Sequence, residues 1–299
     1  MTNFISRSRS HRLSFRRLSS SSARFYSLPT SIVLATPLIA ALAIGFLYPV
    51  LKLFALSFSG GTLAYYRRIV AEPLHLAVLT GTVQVALVVT VASLLLGFPV
   101  AYLMARLSKG LATVVAACVF IPLWTSVLIR SYAWVTLLQR NGIINELLID
   151  TGVTDGPLKL IYTQGAVILA MTHVLMPFMI LPIYSALRAL PADYVRAARN
   201  LGAGSLRAFV AVTLPLSLPG VFAGSVMCFV LALGFYITPA LVGGPGSMLM
   251  ATLIGQQTTV LLDWPFAAAL STVLLAVTLL FVLLFRRTLS LSKGLNSVY

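Results

Sequence analysis

No Asp, Glu, Lys or Arg interrupts residues 31–51, 76–105, 110–129, 160–187, 208–262 or 264–285. Each run is strongly apolar, and each reaches the about 20 residues that an α-helix needs to cross a hydrocarbon layer ~30 Å thick. Polar surface sufficient to cover so much apolar sequence in water is missing, because only 9% of the chain is charged and 59% is hydrophobic. Strands of a transmembrane barrel would alternate apolar and polar residues, and these runs do not. The expected class is an all-α integral membrane protein. The run 208–262 is too long for one crossing. Gly243-Gly244-Pro245-Gly246 divides it and leaves a span near 216–241. About six transmembrane helices are expected.

The net charge of +15 suggests a nucleic-acid binder, but its distribution does not. Fifteen of the 21 basic residues fall in four regions: before the first span, between spans two and three, between spans four and five, and after the last. Alternation places all four on one side of the membrane. Arg67, Arg68, Arg130, Arg140 and Lys159 fall on the other side with Glu72, Glu146, Asp150, Asp155 and Asp263, and Lys52 is at a boundary. The positive-inside rule puts both termini in the cytoplasm. No nucleic-acid partner is expected; membrane lipids are.

Residues 1–30 are rich in Ser and Arg and contain no acid. They fit a cytoplasmic tail or an organelle transit peptide; the tail is the preferred reading. The spanning domain then covers 31–287, and 288–299 forms a C-terminal cytoplasmic tail. Cys118 and Cys228 both lie in expected spans, with no metal-binding or disulfide spacing, and are expected to be buried.

A polar loop, 190–215, separates two of the hydrophobic runs. Pro191 suits a first helical position. Tyr194, Ala197, Ala198 and Leu201 share one helical face, with Arg196, Arg199 and Asn200 on the rest. Gly202 can end this helix in the left-handed conformation. Ser205 can cap a second short helix over 206–212, and Pro215 fits the entry to span five. The product is a helical knob with small residues at its crest.

The pattern Arg196-Ala197-Ala198-x-x-x-Gly202, nine residues, then Val212-x-Leu214-Pro215 resembles the EAA loop of bacterial ABC-importer permeases. Arg130-Ser131-Tyr132-Ala133-Trp134, Asn141-Gly142-Ile143-Ile144-Asn145, the run from Met176 to Pro182, and Asp263-Trp264-Pro265 resemble the spermidine/putrescine branch. The resemblance covers roughly residues 30–290 and implies the MetI-like permease fold in a bacterial inner membrane. It also implies a second, usually different, permease subunit, ATPase subunits docking on the loop, and a periplasmic solute-binding protein. The coupling residues it implies are Asp193, Arg196, Ala197, Ala198, Gly202, Leu214 and Pro215. Arg196 departs from the family, which has Glu there; Asp193, one turn away, can substitute.

There is no G-x-x-x-x-G-K-[ST] loop for ATP, no His-Glu-x-x-His and no cluster for covalent chemistry. No catalytic residue, cofactor or metal is expected, and the chain is not expected to be an enzyme. No Asp, Glu, Lys or Arg sits at mid-span, where ion-coupled carriers place such groups, so an autonomous carrier or channel is disfavoured. His173, Trp134, Tyr132 and Asp263 are candidates for the solute path. His173 also fits a helix–helix hydrogen bond, and the aromatics an interfacial belt. The expected solute is a polyamine such as spermidine or putrescine, with another small organic solute or ferric ion as the alternative.

Overall fold

The computed structural model describes residues 28–59, 61 and 63–296, with side chains at 30, 32–59, 61 and 63–285. Most of the expected N-terminal tail, residues 1–27, lies outside the described residues. Among them every regular element is helical. The chain divides into two compact units, Met1–Leu51 and Lys52–Tyr299. In the first, α1 (Leu28–Leu42) passes through a π turn (Ala43–Leu47) into α2 (Tyr48–Leu56), which crosses the boundary. Together they give one apolar span, Ile32–Leu56.

The second unit opens with α3 (Ala64–Ala71) and α4 (Pro73–Arg106), then α5 (Lys109–Trp124), α6 (Val127–Leu138) and α7 (Ile143–Asp150). Next come α8 (Gln164–Ala189), α9 (Ala192–Asn200), α10 (Ser205–Ala208) and α11 (Leu214–Leu233). The chain ends in α12 (Ile237–Val242), α13 (Met250–Thr259) and α14 (Trp264–Asn296). The last helix therefore continues through most of the expected C-terminal tail. Five helical stretches are long and apolar enough to span, or six if the bent α5–α6 pair is one crossing.

That bend corrects the expectation of one straight span over 110–129. The path turns by 100° between Trp124 and Val127. Pro122 lacks an N–H and weakens the last turn of α5. Thr125 then donates both its N–H (3.2 Å) and its hydroxyl (2.7 Å) to Pro122 O. Ser126 Oγ accepts from Leu128 N–H at 3.2 Å and starts α6. Cys118, on α5, is exposed, contrary to expectation, while Cys228 is buried.

The fifth span also differs from 216–241. It ends at Leu233, with Gly234 following, and the chain restarts as α12. Glycine disfavours helix continuation, and Pro239 falls in the first turn of α12, where its missing N–H costs nothing.

The core is formed by α4, α8 and α11. Val85, Val89 and Met104 meet Met171, Leu175, Met179, Ile180 and Ile183, with Phe229 and Leu233 from α11. Lipid is as apolar as these side chains, so close contact rather than water exclusion must hold the helices together. The sequence provides it at Gly220-x-x-x-Gly224. A Cβ on Gly220 would lie 2.6 Å from Pro182 O and from Ala186 Cβ, and one on Gly224 would lie 2.9 Å from Met179 O. A second cluster, with Ile69, Val78, Met250, Leu253, Phe266 and Leu270, packs α3, α13 and the start of α14 against the other end of α4.

Polar ties fix that second end. Thr82 Oγ1, fully buried, accepts the Met250 N–H at 2.8 Å and donates to Val78 O at 2.6 Å. Ser131 and Thr238 share a hydroxyl bond of 2.8 Å between α6 and α12. Asn145 holds the connection after α7 by bonds to Gln139 O, Leu158 O and Leu158 N–H. Thr82→Val strips the first N–H of α13 of its partner in a buried site, at a cost of about 1–3 kcal/mol. A lower thermal midpoint of the detergent-solubilised protein is expected, with unchanged insertion.

Candidate coupling site

The knob follows directly after α8. Pro191 is the residue before α9, not its first helical residue as expected. The end of α9 is a complete Schellman motif. Gly202 has φ 84°, its N–H bonds Arg199 O at 2.9 Å, and the Ala203 N–H reaches back to Ala198 O at 3.0 Å. This bonding gives a physical reason for the motif spacing. Ala198 is the third residue from the helix end, and Gly202 is the first beyond the capping residue Leu201. Ala198 and Ala203, both half-buried, occupy the two positions whose apolar contact often accompanies the motif.

The expected apolar face of α9 is rotated. Val195 and Ala198 turn inward, while Tyr194 and Ala197 are exposed. Leu201 is 89% exposed and Leu206 77% exposed. These two leucines flank the turn and leave an apolar crest. Arg196 and Asp193 pair with each other at 3.2 Å on the exposed surface. An exposed pair of this kind contributes little stability, and both side chains remain accessible.

The second expected short helix, 206–212, is not separate. Gly204 holds the capping position, Ser205 makes no capping bond, and a π turn (Phe209–Thr213) joins α10 to α11 without a break. The continuous stretch is Ser205–Leu233. Pro215 accounts for the widened turn: it has no N–H for the carbonyl four residues earlier, and its ring crowds that carbonyl. Leu214 N–H instead reaches Phe209 O, and Ser217 Oγ–H bonds Leu214 O at 2.8 Å. Leu214 is half-buried and Pro215 exposed. Phe209 stacks edgewise on Phe98 and Tyr102 of α4, at 6.0 and 5.3 Å between ring centres. The knob is thus fixed to the core through α4 and α11.

The four candidate path residues do not form one group. Trp134 Nε1 donates to His173 Nδ1 at 3.3 Å, with the rings edge to face. This is the helix–helix bond that His173 was weighed for. Tyr132, on α6, is exposed. Asp263 caps α14 by accepting the Phe266 N–H at 3.2 Å, and pairs with Arg68 at 3.3 Å. Arg68 also pairs with Glu72 and lies over the Phe266 ring at 4.2 Å. Two of the five expected outer carboxylates therefore have structural partners. This Arg68-centred cluster was not legible in the sequence, because its members are far apart along the chain. Among the described residues no group of three or more His, Cys, Asp or Glu could hold a metal ion.

A helical bundle with spans of this length and a structured polar knob at one end defines a polytopic membrane protein. A family model described as "Binding-protein-dependent transport system inner membrane component" matches residues 93–288. The chain belongs to that family. It is 36% identical over 226 residues to the spermidine/putrescine transport system permease protein PotB of Escherichia coli (strain K12), covering 76% of this chain and 82% of the relative. It is 32% identical over 219 residues to the molybdenum transport system permease protein ModB of Mycobacterium bovis, covering 72% and 80%. The fold matches a chain in the crystal structure of a bacterial alginate ABC transporter in complex with an alginate pentasaccharide-bound periplasmic protein. That match has a TM-score of 0.68 at 20% identity and covers 87% of this chain and 96% of the other. The protein is a multi-pass inner-membrane permease subunit of an ABC importer.

Proposed function

We propose that this permease carries a polyamine, spermidine or putrescine, delivered by a periplasmic binding protein. The support is the 36% identity to the Escherichia coli polyamine permease over three quarters of the chain. A second, different permease subunit completes the path, and of two ATPase subunits one docks on the α9 knob and the other on the second permease. Both termini face the cytoplasm, in keeping with the distribution of arginine and lysine. The observation that carries the docking role is the exposed crest of Leu201 and Leu206, flanking a turn that is held rigidly by the Schellman bonds. An apolar crest with arginines beside it suits a groove with an apolar floor and an acidic rim. Asp193, Arg196, Ala197, Ala198 and Gly202 belong to this surface, and Leu214 and Pro215 to the helix that carries its motion.

The chain performs no covalent chemistry on this reading; ATP is hydrolysed by the partner, and its closure moves the knobs. The test is co-expression with an ATPase, a second permease and a binding protein of the same importer. ATP-dependent uptake of radiolabelled spermidine or putrescine into proteoliposomes is expected. Uptake of molybdate instead, as the Mycobacterium bovis relative's name suggests for that protein, would replace the solute but keep the mechanism. Solute transport by the lone chain would overturn it.

A further inference from the structure

A cleft of about 380 Å³ lies between the knob and the helix ends behind it, and it shares Arg196 with the coupling surface. Its walls come from the last turns of α4 and α8, from α9, and from the π turn before α11. Arg106, Arg188, Arg196 and Arg199 line it, together with Tyr102 and Thr213. Thr213 is buried and its Oγ1 has no hydrogen-bond partner. Arg106 lies over the Tyr102 ring at 5.0 Å, which holds its guanidinium at the cleft.

The charge does not cancel. Of the chain's carboxylates only Asp193 lies on this knob, and it pairs with Arg196. Among the described residues no carboxylate is within ion-pair distance of Arg106, Arg188 or Arg199. The carboxyl ends of α4 and α8 add about half a negative charge each. Set against three unpaired guanidinium groups, that leaves the cleft positive by about two. Guanidinium groups match phosphate oxygens in geometry and bind them with paired N–H donors. Leu187, Leu190 and Val195 give the same cleft an apolar wall.

We infer that this cleft binds a phosphate-bearing anion, with Arg106 and Arg188 as its principal donors. Two sources carry that chemistry at a membrane surface: the headgroup of an anionic phospholipid and free phosphate. The apolar wall and the position at the helix ends fit the headgroup, as basic pockets between helix ends do in general. The inference rests on the proposed orientation only for which leaflet supplies the lipid. Bound anion would tie α4 and α8 to α9 and so set how freely the knob moves.

The test uses the full chain in detergent and in nanodiscs. Native mass spectrometry is read with phosphatidylglycerol against phosphatidylcholine, and titration calorimetry with inorganic phosphate. Arg106→Gln/Arg188→Gln is compared with Arg106→Lys/Arg188→Lys; neither position lies on the crest. Preferential retention of phosphatidylglycerol is expected. Removal of both charges lowers it by roughly 10- to 30-fold, and the lysine pair retains most of it. Binding of inorganic phosphate without lipid preference, lost in the Gln pair, supports the free anion as the source. An unchanged lipid preference in the Gln pair overturns the site. So does loss of ATPase co-purification with anion binding unaltered, because the arginines would then serve the protein interface. If the Gln pair is poorly folded, loss of binding in a well-folded lysine pair also counts against a charge-based site. Failure of polyamine uptake leaves every one of these readouts intact.

Discussion

Gly220→Ile sharply lowers the amount of folded permease that can be extracted. The residue stands where α11 crosses α8, and even a methyl group there would lie 2.6 Å from Pro182 O. A flexible side chain could move aside, but a backbone carbonyl in a core helix cannot. Pro182 cannot relieve the clash by local unwinding without disturbing Ile183, which is fully buried. Overpacking of this kind typically costs 1–3 kcal/mol for added methylenes. Here the added group meets backbone, and Gly224 four residues on keeps the helices equally close. Together these make a larger penalty. The expected result is at least a roughly tenfold fall in monodisperse protein after detergent extraction. Gly81→Ala is the control, because a Cβ at Gly81 meets nothing within 4 Å. Yield of Gly220→Ile equal to that control would refute the packing account.

Gly202→Trp, by contrast, inserts and packs normally but no longer couples. A Cβ at Gly202 meets nothing within 4 Å, so no core contact is disturbed. The cost is conformational. Gly202 has φ 84°, and an L-residue held in the left-handed region loses about 1–2 kcal/mol. Relief of that strain breaks the bonds from Gly202 N–H and Ala203 N–H that fix the turn, and the indole projects from the crest between Leu201 and Leu206. On the docking role proposed above, ATP hydrolysis persists in the assembled complex while solute uptake falls by more than roughly tenfold, equivalent to 1.4 kcal/mol. Wild-type uptake at wild-type expression would remove the coupling assignment. Gly202→Asn is the milder companion, since Asn tolerates the left-handed region, and is expected to retain most activity.

The membrane class, the approximate number of spans and the close approach at Gly220 and Gly224 were legible because they follow from local facts: charge-free length and the absence of a Cβ. Gly202 was legible for the same reason. The Thr125–Ser126 break was not, because hydropathy reports apolarity and not direction; the polar pair sits inside an otherwise continuous apolar run. Ser205 misled for a related reason. It has the right chemistry for a cap, but Gly204 occupies the position, and only the backbone path decides between neighbours. Periodicity places Tyr194, Ala197, Ala198 and Leu201 of α9 on one face but does not say which way that face points. At this knob Leu201 and Leu206 turn outward. Asp263 reads from the sequence as a lone carboxylate, whereas in the fold it pairs with Arg68 and accepts the Phe266 amide, groups that sequence distance hides.

The π turn at Phe209–Thr213 has one more consequence. A π turn is an α-helix with one residue inserted. Deleting one residue from 209–213 would swing everything before it by ~100° about the helix axis. The compass bearing of the crest is therefore stored in a residue count at Phe209–Thr213. Two relatives with identical crest sequences but a different count here would present that crest to different neighbours.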